Sequence, residues 1–487
     1  MPQLALAAVS TFMTVTATAG GLAGFSYLGL AAGMQSALAH FAVRAALGYA
    51  LNALTPKGAP ASRGYQNVNQ LGAALPHQVI YGETRIGGSI FYQTTNGGGS
   101  NLHRCIAFAG HEIDSYQAIY LNDEEVTLDA NGNVTYPNKY ANKVRIKKYL
   151  GTADQLADPD LVNEVIEWTD KHRARGVAYL YVRFSGASNF NNGAPTVTAK
   201  IRGKKVYDTR TSTTAWSDNP ALVMRDYLLS EYGLEEITAN IDEDRFEAAA
   251  DLCDATVPGG KTYTCNGAFL LDSSPEDIIR NLLSSMGGIF WNYGGKWAVL
   301  AAEYRTPAIT LTEDDLRGEL QVATRHSRRD NFNAVRGQYK GPETNYQPDD
   351  YREVTSGKYL EEDNNIRAAN ELPLLFTDSE IMAQRIARRY LRRNRLQVTV
   401  SGAFGLRALD LTIGDNVKLT IDHLGWNEKV FEVVDWRMGV KDLDIHVTMI
   451  LREMDEVVFT GVVEVLQDES LNTLTDESNN SLEAIVA

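Results

Sequence analysis

The chain has 487 residues, 44% hydrophobic and 22% charged, proportions that fit a soluble globular protein of about three or four domains and exclude wholesale disorder or a collagen-like fibre. Lys and Arg number 46 against 61 Asp and Glu, a net charge of −15. Such a surface repels a polyphosphate backbone, which argues against a nucleic-acid-recognition protein. Three cysteines, Cys105, Cys253 and Cys265, are too few and too scattered for a disulfide framework or a zinc site, and fit free thiols in a reducing compartment.

Charge is unevenly spread. From Met1 to Pro56 the sole charged side chain is Arg44, and the segment reads as two apolar stretches, Leu4–Ala19 and Leu22–Leu54. Crossing a ~30 Å hydrocarbon core takes ~20 helical residues, so there is length for one or two spans. Met1-Pro2-Gln3 lacks the positive start of a secretory signal, and Ala, Gly and Thr insert weakly into lipid. Gly20 with Gly24, and Gly29 with Gly33, make two small-xxx-small pairs that let helix backbones approach closely. Residues 1–56 are expected to form an apolar helical segment, either packed as a plug against other protein or membrane-active.

Pro56–Ser62 is a linker by composition, and beyond it the pattern becomes that of strands. Val79–Tyr81, Ile86–Tyr92, Cys105–Ala109, Ala118–Leu121, Val177–Phe184 and Thr196–Arg202 are short β-rich runs. They predict a small antiparallel β-domain over 57–215, with an insertion at 129–176 in which Asp158–Trp168 is helical. A mixed α/β region over 216–312 follows. Pro220 after Asp218-Asn219 and Pro275 after Ser274 each open a helix, and Tyr293-Gly294-Gly295 turns a hairpin. Over 313–457 a long polar connection, 337–372, leads to a helix capped by Asp378 and then to alternating strands around Val398/Val400, Val417/Leu419/Ile421 and Val447/Met449/Leu451. This predicts a second β-domain, followed by an acidic tail over 458–487. The fold class is therefore mainly β with an α+β middle.

Motifs that carry chemistry are incomplete. Ala255–Thr262 satisfies a relaxed phosphate-loop pattern, but a helix precedes it where a strand is required. His111-Glu112 begins a zinc-protease signature and Ser115 stands where its second His belongs. Asp129-x-Asn131-x-Asn133 starts like a calcium loop, yet Val134 replaces the Gly and Tyr140 the bidentate Glu, so a hairpin turn is expected. No Gly-x-Ser-x-Gly elbow occurs. Accordingly no catalytic residue, cofactor or metal ligand is assigned. The densest basic cluster, Arg385, Arg388, Arg389, Arg392, Arg393 and Arg395, falls on one helix and is expected to meet acidic neighbours, another subunit or solvent.

Val79–Gly88, with its Val-Ile-Tyr-Gly-Glu-Thr-Arg-Ile-Gly-Gly, resembles the opening block of the lambda-like phage tail tip attachment (central hub) proteins. The resemblance continues at Ala109–Asp114, Tyr120–Val126, Asn219–Val223, Thr264–Gly267 and Pro275–Val299, and again at Ala383–Arg393 leading into Ile413-Gly-Asp415. It implies a baseplate-hub-like fold with two tube-type antiparallel β-barrels per chain, and a homotrimer whose six barrels match a sixfold tail tube. It further implies a virion structural protein without catalysis at the tail tip of a non-contractile-tailed phage, assembled in the host cytoplasm. Its expected partners are the distal tail protein and the tape-measure protein, with DNA passing through unbound. An acidic wall suits that role, since each Lys- or Arg-phosphate contact would hinder sliding. Residues 1–56 would close the tip and then contact the host membrane. The readings set against this one are an envelope-degrading tail enzyme and a non-viral membrane-tethered β-protein.

Overall fold

The structure is a computed structural model that describes residues 69–71 and 76–460, apart from 187, 188, 191, 192, 258, 326, 328, 329, 442 and 443, together with 464–465 and 483–484. Gly20, Gly24, Gly29 and Gly33, and all of segment 1–56, lie outside the described residues, as does most of the acidic tail.

Two β-modules flank a helical middle, the mainly β architecture that the apolar periodicity predicts. In the first module, a five-stranded sheet runs in the order Gln70–Leu71, Ser89–Asn96, Asn101–Ala109, Ala178–Ser185, Val144–Leu150. A four-stranded sheet runs Glu83–Gly87, Val197–Arg202, Ser115–Leu121, Glu124–Glu125. Ile106, Leu180 and Val182 of the first sheet share one core with Ile119, Ala199 and Ile201 of the second. The apolar run Ile86–Tyr92 is not one strand: it crosses from the second sheet to the first at Gly88. A Cβ there would lie 2.5 Å from the Ala107 carbonyl oxygen, so only glycine lets the chain turn this corner.

At the start of the 129–176 insertion, Val134–Tyr136 pairs back onto Thr127–Leu128, just ahead of it. The helix that follows is shorter than its expected 158–168, spanning Pro159–Glu164. Val165 is already extended at φ −127°, which carries Val165 and Trp168 down onto Cys105, Tyr179 and Tyr181 on the outer face of the five-stranded sheet.

The second module is a six-stranded sheet ordered Ile309–Thr312, Asn416–Ile421, Trp426–Lys441, Asp444–Glu453, Thr399–Phe404, Gln321–Ala323. Val417, Leu419, Ile421, Val447, Met449 and Leu451 are fully buried, every second residue of their strands.

Between the modules sit helices Pro220–Leu229, Glu243–Asp254, Pro275–Ser284 and Glu380–Arg395, with the hairpin Ile289–Tyr293/Lys296–Leu300. Gly294 and Gly295 take φ +57° and +83° at its two-residue turn. Their core joins Tyr227, Phe246 and Val299 to Val335, Leu374, Phe376 and Leu391. Residues 332–391 thus pack into the middle module, although in chain order they fall between the first two strands of the second sheet and its remaining four. The polar stretch 337–372 is threaded with short strands: Ala334–Arg336 pairs with Val354–Thr355 on one side and Ala369–Glu371 on the other. Ser379, one residue later than expected, caps the helix Glu380–Arg395, its Oγ accepting from Met382 N at 3.4 Å. Asp378 instead accepts from Thr264 Oγ1 at 3.3 Å.

Candidate functional site: the arginine helix

Helix Glu380–Arg395 buries Met382, Ala383, Ile386, Ala387 and Leu391 in the middle core, which leaves its arginines to reach sideways. Arg385 is itself buried, at 4% exposure, and donates to the Thr262 carbonyl oxygen at 3.0 Å. Arg389 bonds the Tyr263 hydroxyl, donates to the Ala302 carbonyl oxygen at 3.3 Å and lies between the rings of Tyr263 and Phe459. Arg392 donates to the carbonyl oxygens of Val457 and Thr460, at 3.0 and 2.7 Å. Arg393 pairs with Glu432 on the second sheet, and Arg452 donates to the same Glu432 oxygen at 2.7 Å. Arg395 donates to Asp363 and Glu362, each at 2.8 Å, and lies over the Tyr359 ring. Arg388 also interacts within the chain.

The structure therefore does not turn this row of cations outward as a face. The charge-assisted pair Arg393–Glu432 ties the middle module to the second sheet, Arg392 holds the segment that follows the sheet's Asp444–Glu453 strand, and Arg385, Arg389 and Arg395 bond within the middle module. Burial alone would raise the Glu432 carboxyl, but the charges of Arg393 and Arg452 outweigh it and hold Glu432 below the usual carboxylate range. Sequence reasoning found the arginines and missed Glu432 and Arg452. The one local signal was an acid flanked by Phe431 and Val433, in a strand that also carries Glu428, Lys429, Asp435 and Arg437.

A second polar seam joins the first module to the middle. Buried Arg85 donates to Thr198 Oγ1 at 3.1 Å and Asn345 Oδ1 at 2.7 Å, pairs with Asp123, and stacks on Tyr120 with its Cζ 3.9 Å from the ring centre. Nearby, Tyr81 donates to Asp226 at 2.5 Å, and Lys204 reaches Asp226 at 2.7 Å and Tyr232 at 2.9 Å. Lys204 loses some basicity to burial, yet Asp226 and Tyr232 more than restore it, leaving its pKa raised.

The incomplete motifs are spent on structure. Thr256–Val257 and Gly260–Lys261 form a small hairpin, and Lys261 pairs with Asp218 at 2.7 Å and Asp254 at 2.9 Å, so its charge is already met. Asp129 accepts from the backbone of Asn131 and Asn133, at 2.9 and 2.8 Å, and from the Asn133 side chain at 3.0 Å, closing a turn. His111 Nε2 accepts from Ile80 N at 3.0 Å while its Nδ1 donates to the Glu112 carbonyl oxygen at 2.8 Å. Cys105, Cys253 and Cys265 are buried, and burial pushes each thiol well up. Among the described residues, no group of three His, Cys, Asp or Glu side chains converges as a metal site, and no helix is long and apolar enough to cross a membrane.

No family model matches the chain. In sequence it is 24% identical, over 486 aligned positions, to the baseplate hub protein pb3 of Escherichia phage T5, covering 83% of this chain and 50% of that protein. The chain thus spans half the length of the curated relative it matches. In structure it superposes with a TM-score of 0.59 and 16% identity on a chain from the virion of a native gene transfer agent particle, covering 93% of this chain and 99% of the other. The chain shares the fold of that virion chain. Together with the sequence similarity it sets the chain in the virion tail, and the family resemblance read from the sequence holds at the level of phage tail hubs.

Proposed function

We propose that the chain is a central hub of a non-contractile phage-type tail, a structural protein without catalysis that closes the tube and forms the DNA exit conduit into the host envelope. The observation that carries this reading is the similarity to a baseplate hub protein across 83% of the chain, joined to a fold match over almost the whole of a virion chain. In this reading three chains assemble about the tail axis, and their six β-modules meet a sixfold tube. The distal tail protein and the tape-measure protein are the neighbours above. The net charge of −15 suits a bore that lets DNA slide, because phosphates find repulsion there in place of sticky cation contacts. Segment 1–56, with its paired Gly20/Gly24 and Gly29/Gly33, plugs the tip and contacts the host membrane on ejection.

Mass measurement of the full chain in solution and in particles tests the assembly. A trimer at the tail tip is expected, and a stable monomer found outside any tail overturns the reading. Removal of residues 1–54 tests the plug: particles that assemble but leak DNA support it, whereas sealed particles that eject normally reject it.

A further inference from the structure

The outer face of the five-stranded sheet, where the 129–176 insertion folds back over it, holds a cavity of about 580 Å³. Its walls are aromatic: Phe91, Tyr92 and Trp168 line it together with His77, His172 and Gln78. Trp168 sits 4.8 Å from Tyr92, 5.0 Å from His172 and 6.4 Å from Phe91, ring centre to ring centre. Phe91 is 43% exposed although it belongs to a paired strand, at a bulge between Ile90 and Tyr92 that turns it out of the regular alternation. Two buried polar atoms of the lining, Trp168 Nε1 and Gln78 Oε1, have no hydrogen-bond partner among the described residues. His172 Nδ1 accepts from Thr169 N at 2.9 Å, so the neutral ring presents its proton on Nε2.

Beside this cavity, and sharing Ala174 with it, a second hollow of about 390 Å³ is lined by Lys171, Arg173 and Arg175. Arg173 and Arg175 donate to the carbonyl oxygens of Asp170 and Gln155, at 3.0 and 3.3 Å, bonds that hold the loop without cancelling its charge. Three cations against two acids, Glu167 and Asp170, leave the 167–175 loop positive beside the tilted rings, on a chain of net charge −15.

We infer that this pocket binds an anionic saccharide, the sugar ring against Phe91, Tyr92 and Trp168 and its phosphate or carboxylate on Lys171 and Arg173. Aromatic faces take the apolar C–H face of a sugar, the imidazoles of His77 and His172 in the lining offer partners for its hydroxyls, and the volume suits one or two rings. A nucleic acid strand would also accept rings and cations, but the field of the whole chain repels an extended polyanion far more than a singly substituted sugar. This site does not depend on the hub reading and stands or falls apart from it.

Saturation-transfer NMR on the full chain decides the matter, with N-acetylglucosamine 1-phosphate, N-acetylglucosamine, inorganic phosphate and an oligothymidylate as probes. Transfer to the ring protons of the sugar phosphate is expected. Phe91→Ala, at an exposed position that the core does not need, should weaken binding about 10-fold. Lys171→Glu with Arg173→Glu should weaken the sugar phosphate about 10-fold while sparing the neutral sugar. Circular dichroism melts confirm that each variant folds. Absence of transfer, undiminished binding by Phe91→Ala, phosphate binding as well as its sugar ester, or an oligothymidylate that outcompetes it each overturns the assignment.

Discussion

Glu432 shows how much rests on one side chain. It is 8% exposed between Arg393 and Arg452, and removing it strands one buried and one partly buried guanidinium group without that counter-charge. Glu432→Gln is expected to cost about 3 kcal/mol in urea unfolding, the penalty of breaking a buried pair from one side. Because the folded carboxyl is held low, its contribution is complete at neutral pH and is lost only as pH falls below the ordinary carboxylate range through that lower value. His111 acts higher on the pH scale. Burial, with Lys204 nearby adding to it, draws its pKa down to about 4, and the neutral ring is the form that accepts from Ile80 N. The unfolded chain therefore binds a proton before the folded one does, and stability falls as pH drops from about 6.5 to about 4. His111→Gln, which keeps an acceptor and cannot titrate, should flatten the pH profile in that window by up to about 1.4 kcal/mol per pH unit. An unchanged slope would show that the ring plays no such part.

At the scale of elements, helix Pro220–Leu229 depends on a cap that does two jobs. Asn219, wholly buried, accepts from Ala221 N and Leu222 N while donating to the Ala250 carbonyl oxygen at 2.9 Å and to Asp254 at 2.8 Å. Asn219→Ala should lower the unfolding free energy by about 2 kcal/mol, since helix start and interhelix tie go together. The cap was readable because Asn before Pro is a local signal, and so were the strands around Val400, Val417–Ile421 and Val447–Leu451 with their alternating apolar residues; Trp426–Lys441, bulged between Val433 and Asp435, was not. What escaped reading depends on partners distant in sequence. The apolar run through Gly88 spans two sheets because a carbonyl at Ala107 crowds it, and the arginine row closes on Glu432, 39 residues beyond Arg393. The aromatic pocket gathers chain segments around residues 77, 91, 108 and 168, which no spacing rule connects.

For the whole molecule, the middle core is built from two stretches, up to Ala301 and from Phe332 to Leu391, with the first strands of the second sheet inserted between them. A chain ended after residue 312 keeps Tyr227, Phe246 and Val299 but loses Val335, Leu374, Phe376 and Leu391 from the same core. Such a truncation is expected to bind a hydrophobic dye and to unfold without a cooperative transition, whereas the full chain gives a sharp one. A cooperative, dye-free fragment would show that the two stretches are separable.

Helix Glu380–Arg395 runs into strand Thr399–Phe404 with only residues 396–398 between them, while Arg393 grips the same sheet two strands away at Glu432, in register with Thr399 through Arg452. A joint fastened at two points cannot swivel. Force applied to the outer sheet is handed straight to the helical middle, leaving no internal hinge there to absorb it. An aperture assembled from such chains would widen by whole subunits sliding apart, and the work of opening would be done at the boundaries between copies.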